Sequence, residues 1–334
     1  MQVDAPIYSL EGAAERAVAL EALGFDGVFT FEGPHDVFVP LVLAAAATEL
    51  RTWSNVAIAF PRNPIHLAHT ARDLQALSGG RFNLGLGTQV RTHVERRFGS
   101  DFDRPVERMS DLLAALRAIF ATWQDGTRLQ HEGPYYRHDL MTPMFDPGPS
   151  EWGAPPLHVG ALGPRLTEMV AAEADGLLLM PFTSRRFFET ATAPAIEAGL
   201  ARRDPALGPL EVVPELIVCA GRDDDEQAVA DAGCRALLGF YGSTPAYRGV
   251  LEAEGYGDLQ PELRDLSRQG RWDEMATLID DPLLEAVAVR GTPTEVAEQI
   301  AARFGDRAGR VAVYLPYDAP DDVLSEVAEE LHAR

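Results

Sequence analysis

Lysine is absent. All 29 basic residues are arginine, set against 51 aspartates and glutamates, and the formal net charge is −22. Such a chain has no basic stripe with which to neutralise phosphates, which excludes nucleic acid as a partner. An anionic membrane surface is excluded on the same ground. The bias toward Ala, Arg, Asp and Glu is that of a GC-rich genome, so the charge need not be functional; dispersed, it favours solubility. Cysteine is nearly absent too. Cys219 and Cys234 match no zinc spacing, and two thiols in 334 residues are no disulfide framework. No apolar run reaches the roughly 20 residues of a membrane span. The opening MQVDAPIYSLEGAAERAV is acidic where a signal peptide is basic and then apolar. The expectation is a cytoplasmic protein with no membrane contact and no metal.

What the chain does have is alternation. Short apolar runs at 2–8, 25–31, 55–60, 81–87, 156–162, 175–182, 210–221 and 310–317 read as strands. Between and after them, segments with a 3.6-residue apolar period read as helices, at about 11–23, 40–50, 65–77, 105–123, 163–174, 184–200, 223–239, 293–304 and 320–333. Local punctuation agrees. Ser78-Gly79-Gly80 offers a left-handed helix stop, and Thr292-Pro293-Thr294-Glu295 is a capping box with proline in the first turn. Residues 124–153, rich in Pro, Gly and aromatics, read as a surface hairpin or insertion, and 240–290 as a second insertion of short helices without a strand. Eight strands alternating with helices predict one α/β domain over 1–334, a TIM (β/α)8 barrel. The competing doubly wound sheet needs a nucleotide fingerprint. The nearest match, Gly85-Leu86-Gly87-Thr88-Gln89-Val90, lacks its third glycine.

Function in such a barrel gathers where strands end and βα loops begin. After the second strand stands Glu32-Gly33-Pro34-His35-Asp36. Here His35 and Glu32 are candidate acid–base groups, or Asp36 is only a helix cap and His35 solvated. The third strand leads through Ala57-Ile58-Ala59-Phe60-Pro61, small enough for a flat ring to lie on backbone, or simply a turn. The fourth ends Gly87-Thr88-Gln89 with His93 close behind, and its glycines permit a ligand near backbone or a tight turn. The fifth runs through Ala161-Leu162-Gly163-Pro164 into a helix whose free N–H groups suit a phosphate. His66 and His69 lie one turn apart on an outer helix with no third ligand, and His158 lies inside a strand; both read as structural. Arg96 and Arg97 read as a solvated face, or as the partner of an acidic cofactor tail. No Gly-x-Ser-x-Gly elbow or P-loop is present.

The stretches GFDGVFTFEGPHDVFVPLVLAAAATEL, NVAIAFPRNPIHLAHTARDLQALSGGRFNLGLGTQVRTHVERRFG, PLHVGALGPRLTEMVAAEADGLLL and VRGTPTEVAEQIAARFG follow one another as in a known superfamily. The chain resembles the luciferase-like monooxygenases, specifically their deazaflavin (coenzyme F420)-dependent oxidoreductase branch. The resemblance implies a bacterial-luciferase-like barrel with a late insertion and a homodimer. It implies a non-prolyl cis peptide within Asn55, Val56, Ala57 and Ile58 that supports the cofactor ring, a phosphate on Ala161, Leu162 and Gly163, and Met180 near the ring. His35 falls close to the histidine that relatives place beside the reacting carbon. Where some relatives carry a glutamate after the fourth strand, this chain has Gln89-Val90-Arg91, so the acid falls to His93 or Glu32, or is unnecessary. Three functions follow. The first is a coenzyme F420-dependent oxidoreductase acting on a small or medium organic molecule. The second is an FMN monooxygenase fed by a partner reductase. The third is a cofactor-free barrel serving as a binding protein.

Overall fold

The computed structural model describes residues 1–334. Eight parallel strands close on themselves: β1 (Gln2–Pro6), β2 (Gly27–Thr30), β3 (Arg51–Ser54), β4 (Phe82–Gly87), β5 (Leu157–Ala161), β6 (Gly176–Leu179), β7 (Glu211–Ala220) and β8 (Arg310–Tyr314). β8 pairs with β1 at one seam and β6 with β7 at the other, so no edge is left. The strands are joined by α1 (Ala13–Ala22), α2 (Val39–Ala47), α3 (Pro64–Leu77), α4 (Pro105–Asp125), α5 (Pro164–Glu173), α6 (Ala193–Leu200), α7 (Asp224–Gly242) and α8 (Pro293–Phe304), and α9 (Asp321–His332) follows β8. The main apolar core lies between the strands and this helical ring, where Leu84, Leu86 and Val159 meet Leu67, Leu112 and Val170. The fold is the TIM barrel read from the alternation.

Side chains alternate across each strand, so every second residue enters the barrel. Three layers result. At the floor, Arg51 donates to both oxygens of Glu211 at 2.6 and 2.7 Å, His158 lies 3.1 Å from Asn83, and Arg310 pairs with Asp4. The middle layer is apolar, with Phe29 against Trp53 at 4.9 Å between ring centres, beside Leu178, Val213 and Ala312. The upper layer carries Tyr8, Phe31, Asn55, Glu215 and Tyr314. Two rungs thus cross from β3 to β7, Arg51 to Glu211 below and Asn55 to Glu215 above, with Trp53 and Val213 between.

Several sequence expectations shift. The third strand was expected at 55–60, but the ladder runs over Arg51–Ser54 and resumes only at Ala57–Ile58. Apolar pattern favours Asn55–Phe60, yet Arg51 and Trp53 face an interior that accepts them. The helix expected at 184–200 opens through a π turn at Phe188–Thr192 before α6. Residues 124–153 do form a hairpin, with His131–Glu132 antiparallel to Arg137–His138. It is docked on Asp111, which accepts from the backbone of Tyr135 and Tyr136 at 2.7 and 2.9 Å and lies 2.8 Å from His131. The late insertion is helical as expected, except for a short strand at Val289–Gly291 that pairs with β7. Its helices share a second apolar cluster with α7 and the outer part of β7, including Ile217, Leu238, Leu263 and Leu284. His69 stacks on Trp123 at 4.7 Å and His158 is buried.

Candidate active site

The mouth is built around the break in β3. The Asn55–Val56 peptide is cis and non-prolyl, within the segment the resemblance indicated. Val56 folds over the ends of β4 and β5, where two glycines admit it. A Cβ on Gly87 would overlap Val56 Cγ2, and one on Gly160 would stand 3.1 Å from Val56 Cγ1. The result is a flat aliphatic pad bounded by backbone, which suits a planar ring. Ala57 and Ala161 face the helical ring instead, buried in the main core, so only their backbone borders the mouth.

Glu32 ties the pad down. Its carboxylate accepts from Arg62 at 2.6 and 3.1 Å and from the Ile58 backbone N–H at 2.9 Å, and only 9% of its side chain is exposed. Arg62 also donates to the Ile58 carbonyl at 2.8 Å and stands 3.6 Å from Asp36. Asp36 accepts from Phe38 N–H at 2.8 Å in the turn before α2, but the helix is capped at Phe38 without a side-chain bond, so Asp36 is not the helix cap considered from the sequence. His35 is exposed on the same loop. Across the mouth, Thr88 and Gln89 are half-buried after β4. Gln89 holds a left-handed backbone, φ 54°, where its side chain accepts from Val90 N–H at 2.8 Å. Non-glycine residues rarely adopt this conformation, and it concentrates at functional positions. His93 is exposed on the short helix Arg91–Arg96 that follows.

α5 begins at Gly163 without a side-chain cap, and a Cβ there would meet nothing within 4 Å. Its first-turn N–H groups therefore open onto solvent with the positive end of the helix dipole, a fit for a phosphate. Leu162 and Met180 are half-buried nearby, against the cluster formed by the late insertion. The uncapped helix, the Val56 pad and the glycine cradle together fit a ring with a phosphate tail.

Sequence reasoning missed the upper barrel layer. Glu215 is 8% exposed and its one hydrogen bond is from Asn55 Nδ2, at 2.7 Å. Burial pushes its carboxyl up to about 8, and the Asn55 donor offsets only part of this. Three tyrosines surround it. Burial raises Tyr8, Tyr314 and Tyr241, and the nearby Glu215 raises each further, Tyr314 to about 12. Tyr8, Phe31 and Tyr314 form an edge-to-face triad with ring centres 5.7 to 6.3 Å apart. The signal was present as a carboxylate and an aromatic at inward-facing positions of otherwise apolar strands.

The chain is 48% identical over 295 residues to an uncharacterized protein of Mycobacterium tuberculosis, covering 88% of this chain and 87% of that one. A second M. tuberculosis protein, named as a "putative coenzyme F420-dependent oxidoreductase", is 28% identical over 310 residues, with 86% of each chain covered. Among solved structures, the coenzyme F420-dependent tetrahydromethanopterin reductase of Methanopyrus kandleri superposes with a TM-score of 0.82 at 18% identity, over 99% of this chain and 98% of that one. EDTA monooxygenase of Chelativorans sp. BNC1 gives 0.74 at 16% identity, over 100% and 94%. The family model for luciferase-like monooxygenases matches residues 2–309, and the chain belongs to that family.

Proposed function

We propose that the protein is a coenzyme F420-dependent oxidoreductase acting on an organic substrate held above the mouth. The observation that carries this reading is the pad of Val56 between Gly87 and Gly160, facing an uncapped helix N-terminus at Gly163. A named F420-dependent relative aligned over most of both chains supports the choice of cofactor. When bound, the deazaflavin supplies hydride transfer at a ring carbon; the protein supplies binding and orientation.

In this reading Val56 and the backbone of Ala57 and Ile58 carry the ring, and Gly87, Thr88 and Gln89 border it. Met180 packs beside it. Leu162, Gly163 and the backbone of Ala161 hold the phosphate at the first turn of α5. Asn55 stands at the ring's inner edge, and His93 reaches the mouth from its short helix. His35, exposed beside the seat, binds substrate oxygen or exchanges its proton. Glu32, with both oxygens engaged, keeps Arg62 and the bulge in place.

Fluorescence titration of the purified protein with oxidised coenzyme F420 and, separately, with FMN tests the reading. Tight binding of the deazaflavin with weak binding of FMN is the expected result. The reverse preference, with oxygen consumption, moves the assignment to an FMN monooxygenase, a reading favoured by the likeness to EDTA monooxygenase. Binding of neither overturns the cofactor seat and leaves the binding-protein reading.

The dimer is proposed on α2. Val39, Val42 and Leu43 are 44, 40 and 38% exposed along one stripe, while Leu41, Ala44 and Ala45 are buried on the other. A helix apolar on both faces is one that is covered on both. A second copy meeting α2 covers the outer one.

A further inference from the structure

Between Ser54 and Ala57 the strand ladder is interrupted, so Asn55 and Val56 depend on other bonds for their place. Asn55 is anchored twice. Its backbone N–H donates to the Thr30 carbonyl of β2 at 2.7 Å, and its side chain crosses the barrel to donate to Glu215 of β7, also at 2.7 Å. Beyond Val56, the Ile58 N–H donates to Glu32 at 2.9 Å. The pad thus hangs between two carboxyl groups, Glu215 on the barrel side before it and Glu32 on the loop side after it. Their partners differ. Glu32 is paired with Arg62 at 2.6 Å, whereas Glu215 has Asn55 alone.

Glu215 has the burial of a core residue without the cation that a buried carboxylate needs. Around it stand Asn55 from β3, Tyr8 from the β1 loop, Tyr314 from β8 and Tyr241 from α7. Arg16 of α1 acts on Tyr8 but not on Glu215. The arginines of the floor are engaged below it, Arg51 by Glu211 and Arg310 by Asp4. A protonated carboxyl still accepts from the Asn55 amide through its carbonyl oxygen and is tolerable to bury. An aliphatic side chain here would leave that amide without its partner. A titratable group held without a counter-ion beside a ligand seat points to a part in the seat rather than in the core.

We propose that Glu215 is a positioning residue for the cofactor seat: its carboxyl holds the Asn55 side chain across the barrel, and Asn55 holds the Val56 pad in place. The proposal rests on the oxidoreductase reading, which puts a deazaflavin on that pad. Glu215 acts through Asn55. Removing either partner therefore loosens the pad, and removing both does little further harm, because two residues that work as one unit are not additive. The proton matters too. Burial keeps it on the carboxyl up to about pH 8. Above that an anion without a cation stands at the inner edge of the seat, and the seat loosens. The three tyrosines stay protonated there, since burial raises each of them.

Fluorescence titration of the full chain with oxidised coenzyme F420 at pH 7 tests this in Glu215→Leu, Asn55→Ala, the double variant and Glu215→Gln, with thermal melts to show that each is folded. Glu215→Leu and Asn55→Ala should each bind at least tenfold more weakly than wild type. The double variant should fall within threefold of the weaker single one. Glu215→Gln still accepts from Asn55 and should stay within threefold of wild type. From pH 7 to 9.5, wild type should lose at least fivefold in affinity relative to Glu215→Gln, a comparison that cancels every other titrating group. Should Glu215→Leu not fold, Asn55→Ala and this pH comparison decide the matter. Wild-type affinity in Glu215→Leu or Asn55→Ala, losses that multiply in the double variant, or parallel pH profiles overturn the positioning role alone. A folded wild type that takes up no deazaflavin overturns the oxidoreductase reading, and the seat with it.

Discussion

Gly87→Ala puts the cofactor seat to a quantitative test. The new methyl would overlap Val56 Cγ2 and stand 3.2 Å from Val56 Cβ and 3.7 Å from Cγ1. Rotation about χ1 does not clear it, because a β-branched side chain presents a heavy atom in most orientations. Val56 can retreat only toward Gly160, where its Cγ1 is already 3.1 Å from the Cβ position that glycine leaves vacant. Overpacking of this kind costs about 1–3 kcal/mol. For a chain of this size that is a fall in Tm of roughly 1–4 °C. The pad is displaced as well, and at about 1.4 kcal/mol per tenfold the deazaflavin should bind about 10- to 100-fold more weakly. The double variant Gly87→Ala, Val56→Ala removes the atoms in conflict and should regain most of the Tm, without regaining affinity, because the pad is gone. Differential scanning fluorimetry and cofactor fluorescence read the two quantities independently. Gly87→Ala with wild-type Tm and wild-type affinity would refute the reasoning, since neither the overlap nor the seat would then matter.

Gly163→Asp should separate stability from binding. Gly163 has extended backbone (φ −70°, ψ 140°) with open space around it. An aspartate there caps α5 and stabilises by roughly a few tenths of a kcal/mol, while its charge repels phosphate. A raised Tm with at least tenfold weaker deazaflavin binding is expected, and unchanged binding would remove the phosphate from this helix. Glu215 predicts a pH effect of definite sign. Its carboxyl is raised to about 8 when folded and is ordinary when unfolded, so between about 4.5 and 8 the folded state holds a proton that the unfolded state has lost. Stability from this group is therefore present below the ordinary value and is lost as pH rises toward 8. Glu215→Gln should be stabilised relative to wild type at pH 9 more than at pH 5 in thermal melts, and parallel profiles would contradict this. Val42→Glu on the exposed stripe of α2 should halve the mass seen by light scattering if that stripe is the dimer contact; an unchanged dimer would place the interface elsewhere.

The fold was legible because its signals are local. Glycine stops, the capping box at Thr292 and the alternation of apolar runs each act within a few residues, and the barrel follows from their number and order. The mouth was half legible for the same reason: Glu32, His35, Gly87 and Gly163 stand beside strand ends that a reader can find. What the sequence hides is distance across the barrel. Glu211 and Glu215 are the same residue type at equivalent inward positions of one strand, and nothing near them in the chain tells them apart. Their partners lie on β3, on the opposite wall, with the same four-residue offset: Arg51 reaches Glu211 and Asn55 reaches Glu215. Burial works against both carboxylates, yet hydrogen bonds from Arg51 and His158 hold Glu211 well below the ordinary range, while the neutral amide of Asn55 leaves Glu215 well above it. One glutamate becomes part of a structural floor and the other a proton-bearing group at the mouth. Strands four apart in an eight-stranded barrel face each other, so inward residues on such strands are the pairs to read together. Applied to β3 and β7, that rule marks Glu215 as the inward carboxylate without a cation, which is what sets it apart from every other acid of the barrel interior.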